Sequence, residues 1–161
     1  MDFRILSWED AESISDYVHD MWVDTYAPII LGGRERAEDI FDDWVGPGKI
    51  RKDMASGHIF VYAVMDGEVV GLLSAGKEGD ELFISKMYIS PDHRHKGIGK
   101  ECMDYLLDYG RENGCRTASL EVNPLNTVAK RFYESNGFVE REKKHYQYGY
   151  TLIMAADLRP P

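Results

Sequence analysis

One strand–loop–helix passage constrains this chain more than any other stretch. An apolar run, Leu82 to Ile89, reads as a strand, and a helical pattern opens at Ile98. Between and into them runs Arg94-His95-Lys96-Gly97-Ile98-Gly99-Lys100. A glycine-rich loop feeding a helix N-terminus gathers unpaired backbone N–H groups at the positive end of the helix dipole. That arrangement holds phosphate or pyrophosphate without a dedicated side-chain cage. Gly97 and Gly99 lack Cβ, so the backbone can turn sharply and approach an anion closely. Arg94, Lys96 and Lys100 add positive charge to a chain with 19 Lys and Arg against 28 Asp and Glu, net −9. The loop suits an anion that the rest of the surface would repel.

Other glycine motifs fit less well. A Walker loop needs Ser or Thr after Gly-Lys, and Glu101 follows Lys100. A Rossmann fingerprint needs a third small residue where Cys102 stands, and the connection Ser90 to Lys96 is too long for its tight turn. Glu121 does lie at about the right distance for a ribose-binding acid. The plain alternative is a surface loop with incidental glycines, and a second motif weighs against it.

That motif is Asn126 to Phe138, Asn-Thr-Val-Ala-Lys-Arg-Phe-Tyr-Glu-Ser-Asn-Gly-Phe, just after a strand-like run from Thr117 to Val122. Val128 or Ala129, Phe132 and Tyr133 recur at helical spacing, and Gly137 offers a left-handed C-cap. With Arg94, Gly97 and Gly99 in the first motif and Asn126, Ala129, Phe132, Tyr133, Gly137 and Phe138 in the second, the chain resembles the GCN5-related N-acetyltransferase (GNAT) superfamily. The resemblance runs from about Phe60 to the C-terminus. It implies an α/β (α+β) fold, a mixed, mostly antiparallel sheet flanked by helices. In it the strands at Leu82–Ile89 and Thr117–Val122 start as neighbours and then splay to admit the pantetheine arm.

The resemblance also implies site residues. Acetyl-CoA is the cosubstrate, held by Met87, Tyr88 and Ile89 of the strand, by Arg94, His95, Lys96, Gly97, Ile98, Gly99 and Lys100 of the loop, and by Asn126 and Tyr133. The backbone at Met87 and Ile89 pairs with pantetheine and polarises the thioester carbonyl. Tyr133 protonates the departing thiolate. A buried helix aromatic is the structural alternative for Tyr133, and the complete motif favours the chemical role. Several relatives carry a glutamate base near Phe83 or Ser85, and neither position is acidic here. Glu81 and Glu121 read as solvated strand-end residues, which leaves proton loss through water.

Acceptor choice falls to the N-terminal segment. Asp20, Asp24, Glu38, Asp39, Asp42 and Asp43 lie among Trp22, Tyr26, Phe41 and Trp44, a combination that suits a flexible cation. An amphipathic helix with a solvated acidic face is the plainer reading for Asp42 and Asp43. The run His145 to Tyr150 with Thr151 to Met154 is similar to PaiA-type polyamine acetyltransferases. A polyamine such as spermidine or spermine is the expected acceptor, with Trp22 and Tyr26 as candidate substrate contacts. The alternatives are protein Nα or lysine acetylation, or a non-catalytic coenzyme A-binding regulator.

The length suits one domain over residues 1–161. Acidic balance argues against nucleic acid, and no apolar run approaches a membrane span. Cys102 and Cys115 make neither a disulfide framework nor a zinc pattern, and a reduced cytoplasmic setting follows by default. No metal is expected, since His93 and His95 lack a third ligand nearby. His19, His58 and His145 carry no signal. A homodimer stays open.

The remaining elements follow from pattern. Phe3 to Leu6 alternates weakly as a strand. Ser7 and Asp10 form a capping box before a helix with Ile14, Tyr17, Val18, Met21 and Trp22 on one side, broken at Pro28. A second helix puts Ile40, Phe41, Trp44 and Val45 together and stops at Gly46-Pro47-Gly48, with a short third turn around Ile50 and Met54. Asp66-Gly67 joins Phe60–Met65 to Glu68–Ala75 as a hairpin. Val139 to Glu142 and Tyr150 to Leu158 close the sheet.

Overall fold

The hairpin signal at Asp66-Gly67 is met by the backbone: both residues have positive φ, 52° and 77°, the twist a tight turn between antiparallel strands requires. In the computed structural model, which describes residues 1–147 and 149–160, this turn joins β2 (Ile59–Met65) to β3 (Glu68–Glu78). Before it come β1 (Asp2–Ile5), α1 (Ala11–Tyr26), α2 (Gly33–Val45) and α3 (Pro47–Ala55). After it come β4 (Glu81–Ile89), α4 (Ile98–Glu112), β5 (Thr117–Val122), α5 (Thr127–Ser135), β6 (Val139–Tyr146) and β7 (Gly149–Asp157). The strands form one sheet in the order β1-β2-β3-β4-β5-β7-β6. β4 and β5 are parallel, whereas β1/β2, β5/β7 and β6/β7 are antiparallel. The sheet is therefore mixed and mostly antiparallel, with helices flanking it, as expected.

The chain divides into two compact units. The first takes Met1–Ser74 and Lys86–Lys96, the second Ala75–Ser85 and Gly97 onward. In the first, Ser7 N–H donates to Asp10 Oδ2 at 2.8 Å, the cap expected from the sequence, and a short 3-10 turn precedes α1. Ile14, Val18, Met21 and Trp22 of α1 then meet Phe41 and Val45 of α2, Ile50 of α3, and Phe60 and Tyr62 of β2 in one buried cluster. The buried stripe of α2 is Ala37, Phe41 and Val45, spaced by four. Trp44, expected on that side, is 56% exposed, because a residue one position from Val45 lies about 100° round the helix. Gly46-Pro47-Gly48 ends the second helix as expected, and the third turn expected around Ile50 and Met54 is a full helix of 9 residues. Gly46 closes α2, where a Cβ would come within 2.5 Å of the Asp42 carbonyl, and Pro47 opens α3 at a position where no amide donor is needed.

In the second unit α4 buries Cys102, Met103, Leu106 and Gly110; a Cβ on Gly110 would stand 3.0 Å from Leu158 Cδ1 and 3.2 Å from Leu82 Cδ2, so glycine lets both leucines close on the helix. The parallel ladder runs from Glu81↔Thr117 to Ile84↔Leu120. Beyond Ile84 strand β4 continues to Ile89, while Glu121 and Val122 of β5 pair with Ile153 and Leu152 of β7. β6 extends past the expected Glu142 to Tyr146, pairing His145↔Tyr150 and Tyr146↔Gly149. The aromatic run His145 to Tyr150 is thus strand-terminal, and Tyr148 lies outside the described residues.

Candidate active site

At the end of β4 the chain is shaped by a glycine the sequence did not single out. A Cβ on Gly71 of β3 would stand 2.9 Å from the Tyr88 carbonyl and 3.1 Å from Ile89 Cδ1, so glycine lets β3 lie close against this stretch. Met87, Tyr88 and Ile89 are half-buried, with Tyr88 packed on the core cluster. Ser90 N–H donates to Val70 carbonyl at 2.9 Å, and a 3-10 turn, Pro91–His93, follows. Arg94 folds back, its Nε donating to the Ile89 carbonyl at 3.2 Å.

The loop then takes two left-handed residues, His95 (φ 63°) and Gly97 (φ 78°), on either side of Lys96. A non-glycine residue at positive φ is uncommon and costs energy, and such strain concentrates at functional loops. Gly97 is the N-cap of α4, so the first-turn amides of a 15-residue helix have no intrahelical acceptor and suit an anion. Gly99 is needed for a different reason: its Cβ would meet the Phe132 ring of α5 at 3.2–3.3 Å. Ile98 is buried and anchors the helix start. Lys100 is turned along α4 to Asp104.

Asn126 is the N-cap of α5, its Oδ1 accepting from Ala129 N–H at 3.3 Å. The Tyr133 ring is half-buried, 5.7 Å from Phe132 and 6.1 Å from Phe138. The expected left-handed exit is there: Gly137 has φ 91°, and the Tyr133 carbonyl accepts from Asn136 and Phe138 N–H. Val128 is 75% exposed, so the inward face runs through Ala129, Phe132 and Tyr133.

The strand carboxylates are not the solvated residues expected. Glu81 accepts from Arg141, from Ser119 Oγ at 2.9 Å and from Thr117 Oγ1 at 3.2 Å. The Arg141 guanidinium, chiefly, holds its carboxyl below the usual glutamate range. Glu121 accepts from Thr151 Oγ1 and from Tyr146 OH, and the phenol of Tyr146 is pushed up by burial and by that carboxylate. Glu81, held by a guanidinium and two hydroxyl donors, is a poor base.

Trp22 is 6% exposed in the core cluster, its ring 4.8 Å from Tyr26 and 5.6 Å from Phe41. Tyr26 is half-buried beside it. His19, without signal in the sequence, bridges the helices: Nδ1 is 2.8 Å from Asp20 and Nε2 2.7 Å from Glu38. These carboxylates push its pKa up. Lys86 was also missed. Its side chain is 10% exposed, its Nζ lies 4.0 Å from Asp53 Oδ2 and 5.7 Å from the Phe60 ring centre, and burial lowers its pKa. A lysine interrupting the apolar strand Leu82 to Ile89 was the available clue.

A mixed, mostly antiparallel sheet flanked by helices, with a parallel β4/β5 pair, is the acyl-CoA N-acyltransferase fold. Sequence comparison agrees. Residues 15–138 match the model of the acetyltransferase (GNAT) family, and the chain belongs to that family. It is an acetyl-CoA-dependent N-acetyltransferase. It is 24% identical over 147 residues to the spermidine N(1)-acetyltransferase of Thermoplasma acidophilum, covering 86% of this chain and 88% of that protein. With the streptothricin acetyltransferase of Streptomyces lavendulae it shares 34% identity over 86 residues, 52% of this chain and 46% of that one. The crystal structure of the PaiA N-acetyltransferase of Thermoplasma acidophilum in complex with coenzyme A superposes with TM-score 0.81 at 23% identity, covering 98% and 99% of the chains.

Proposed function

We propose that this enzyme acetylates a primary amine of a small polycation, a polyamine such as spermidine or spermine, by direct attack of the amine on acetyl-CoA. The observation that carries this reading is the extent of the similarity to the spermidine acetyltransferase, which covers 86% of this chain and 88% of that protein. Helices α1 and α2 carry the acidic residues and, with Trp22 and Tyr26, the candidate acceptor contacts. The same 15–138 match draws on both compact units, which supports reading residues 1–161 as one acetyltransferase domain. Cys102 and Cys115 are both buried and unpaired, in keeping with a reduced cytoplasmic setting, and burial pushes the Cys102 thiol up to about 12.

For the donor, the amides that follow Gly97 and the left-handed turn at His95 are the pyrophosphate cradle, with Arg94 and Lys96 as nearby charge. Backbone of Met87 to Ile89 receives the pantetheine arm and polarises the thioester. An alkylammonium with pKa ~10.4 costs about 4–5 kcal/mol to present as a neutral amine at pH 7. With Phe83 and Ser85 uncharged and Glu81 committed to Arg141, that proton leaves through water. Tyr133 gives its phenolic proton to the departing thiolate. Asn126 supports the donor site by fixing the start of α5.

An amine-acceptor screen that follows thiol release tests the acceptor. Spermidine and spermine should lead, and a terminal-amine peptide ahead of spermidine by about tenfold in kcat/KM would end the polyamine reading. Tyr133→Phe tests the chemistry separately: kcat should fall about a hundredfold with coenzyme A affinity retained. Unchanged turnover at saturating substrate removes Tyr133 from the mechanism.

A further inference from the structure

Alternation along the strands sorts the sheet of the second unit into two faces. Leu82 of β4 meets α4 at Gly110, and the pairs Leu82↔Ala118 and Ile84↔Leu120 share that face. Glu81, Phe83, Ser119 and Glu121 therefore point to the opposite face. The β4 and β5 carboxylates on it are met differently. Glu81 has the Arg141 guanidinium. Glu121 is the first β5 residue past the last β4–β5 pair, and it has two hydroxyls instead, Tyr146 OH of β6 and Thr151 Oγ1 of β7. Both donate to Oε1, so among the described residues Oε2 accepts no hydrogen bond and Glu121 joins no ion pair. Hydroxyls satisfy lone pairs but leave the charge uncompensated. The cation that answers it is Lys144 of β6. Its Nζ stands over the Tyr146 ring, 5.5 Å from the centre, and Tyr146 together with the Glu121 carboxylate pushes its pKa up. Lys144 is exposed, so its ammonium can leave for water at little cost.

We propose that Glu121, Tyr146 and Thr151 form the seat for an ammonium group of the acceptor other than the one acetylated, and that Lys144 stands in for that group in the free enzyme. The inference rests on the polyamine reading and adds the residues that hold the unreacted end. The stand-in itself describes the ligand: lysine carries a primary ammonium on four methylenes, the same aminobutyl group that ends spermidine. Each part of the seat has a separate task. Glu121 Oε2 is the open acceptor and supplies the charge, which strengthens a hydrogen bond from an ammonium. Tyr146 offers its ring face to the same cation. The Tyr146 and Thr151 hydroxyls hold the carboxylate from its other oxygen, so it is oriented before a ligand arrives. Among the described residues no group of three or more His, Cys, Asp or Glu is arranged to hold a metal, which favours an organic cation. The seat is built from β5, β6 and β7 of the second unit, at the point where the β4–β5 ladder ends. A ligand ammonium and Lys144 cannot share Glu121, so the two compete for it.

Calorimetric titration of spermidine into the enzyme–coenzyme A complex at fixed ionic strength tests this. Glu121→Gln keeps an acceptor oxygen for the two hydroxyls and removes the charge, and it should weaken spermidine about tenfold. Lys144→Met, at an exposed position, should tighten spermidine about threefold, since a seat covered about two-thirds of the time shows about one-third of its intrinsic affinity. In the Glu121→Gln background the same Lys144→Met change should alter affinity by less than about 1.5-fold. Equal tightening in both backgrounds would mean general charge repulsion and overturns Lys144 as the occupant. Spermidine affinity unmoved by Glu121→Gln, or no binding to the wild type, overturns the seat. Binding is read without turnover, so the two readings fail separately. Glu121-dependent binding of spermidine that is never acetylated keeps the seat and ends the polyamine reading. Turnover of spermidine with an affinity indifferent to Glu121 does the reverse.

Discussion

Gly97 and Gly99 look alike in the sequence and are required for different reasons, which a mutant cycle can separate. An alanine at 99 places Cβ 3.2 Å from Phe132 Cε1 and 3.3 Å from Cζ, a few tenths of an ångström inside ordinary contact of ~3.5–4.0 Å. Overpacking of this kind costs about 1–3 kcal/mol. Removing glycine's extra freedom from the unfolded chain returns about 0.4–1 kcal/mol. Because Phe132 is half-buried and can yield, Gly99→Ala should destabilise by about 1 kcal/mol in the wild-type background. In Phe132→Leu, which lacks the two crowding atoms, the same change should stabilise by about 0.5 kcal/mol. The coupling is then about 1.5 kcal/mol, measured from urea midpoints of the four proteins at constant m. Gly97→Ala is the control. Its Cβ meets nothing within 4 Å, but φ is 78°, so it should cost about 1–2 kcal/mol whatever stands at 132. Additivity of Gly99→Ala and Phe132→Leu within about 0.5 kcal/mol would refute the contact as the reason for glycine.

Glu81→Gln should remove an acid-sensitive part of the stability. The folded carboxyl is depressed below 4.5, chiefly by Arg141. Its contribution is therefore complete above the unfolded value and lost as pH falls through the folded one. The difference between wild type and Glu81→Gln in urea midpoint should be constant at neutral pH and shrink below about pH 4.5, and a pH-independent difference would discount the pair. At the buried lysine, Lys86→Met should be neutral or stabilising by about 1 kcal/mol, since it removes a desolvated charge. Asp53→Asn should instead cost about 3 kcal/mol by leaving Lys86 without its carboxylate; the reverse order in urea unfolding would mean that the ammonium is well solvated.

Much of the fold was legible because the decisive signals are local. Asp66-Gly67, Ser7 with Asp10, and Gly137 each state a backbone conformation that few residues adopt, and each was found in place. The two motifs, Arg94 to Lys100 and Asn126 to Phe138, placed a glycine loop and a tyrosine-bearing helix on successive elements, enough for the family. Element ends were less legible. Gly46-Pro47-Gly48 reads as the end of the second helix and is, but it did not tell that Pro47 also opens a 9-residue helix, because proline suits the first turn of a helix as well as the end of one. The side of α2 that faces inward was settled by packing against α1, which chose Ala37 over Trp44.

What tertiary structure alone decided is the state of each charge. Sequence shows that Glu81, His19 and Lys86 are ionisable, but not that Arg141 stands 60 residues away against Glu81, that Glu38 comes from the next helix to His19, or that Phe60 and α3 exclude water from Lys86. Ionisation energies depend on neighbours within a few ångströms and on exclusion of water. Both arise when distant parts of the chain meet, so no local pattern encodes them. Backbone conformation, by contrast, is dictated largely by each residue and its immediate neighbours, which is why the glycine loop could be read directly from the chain.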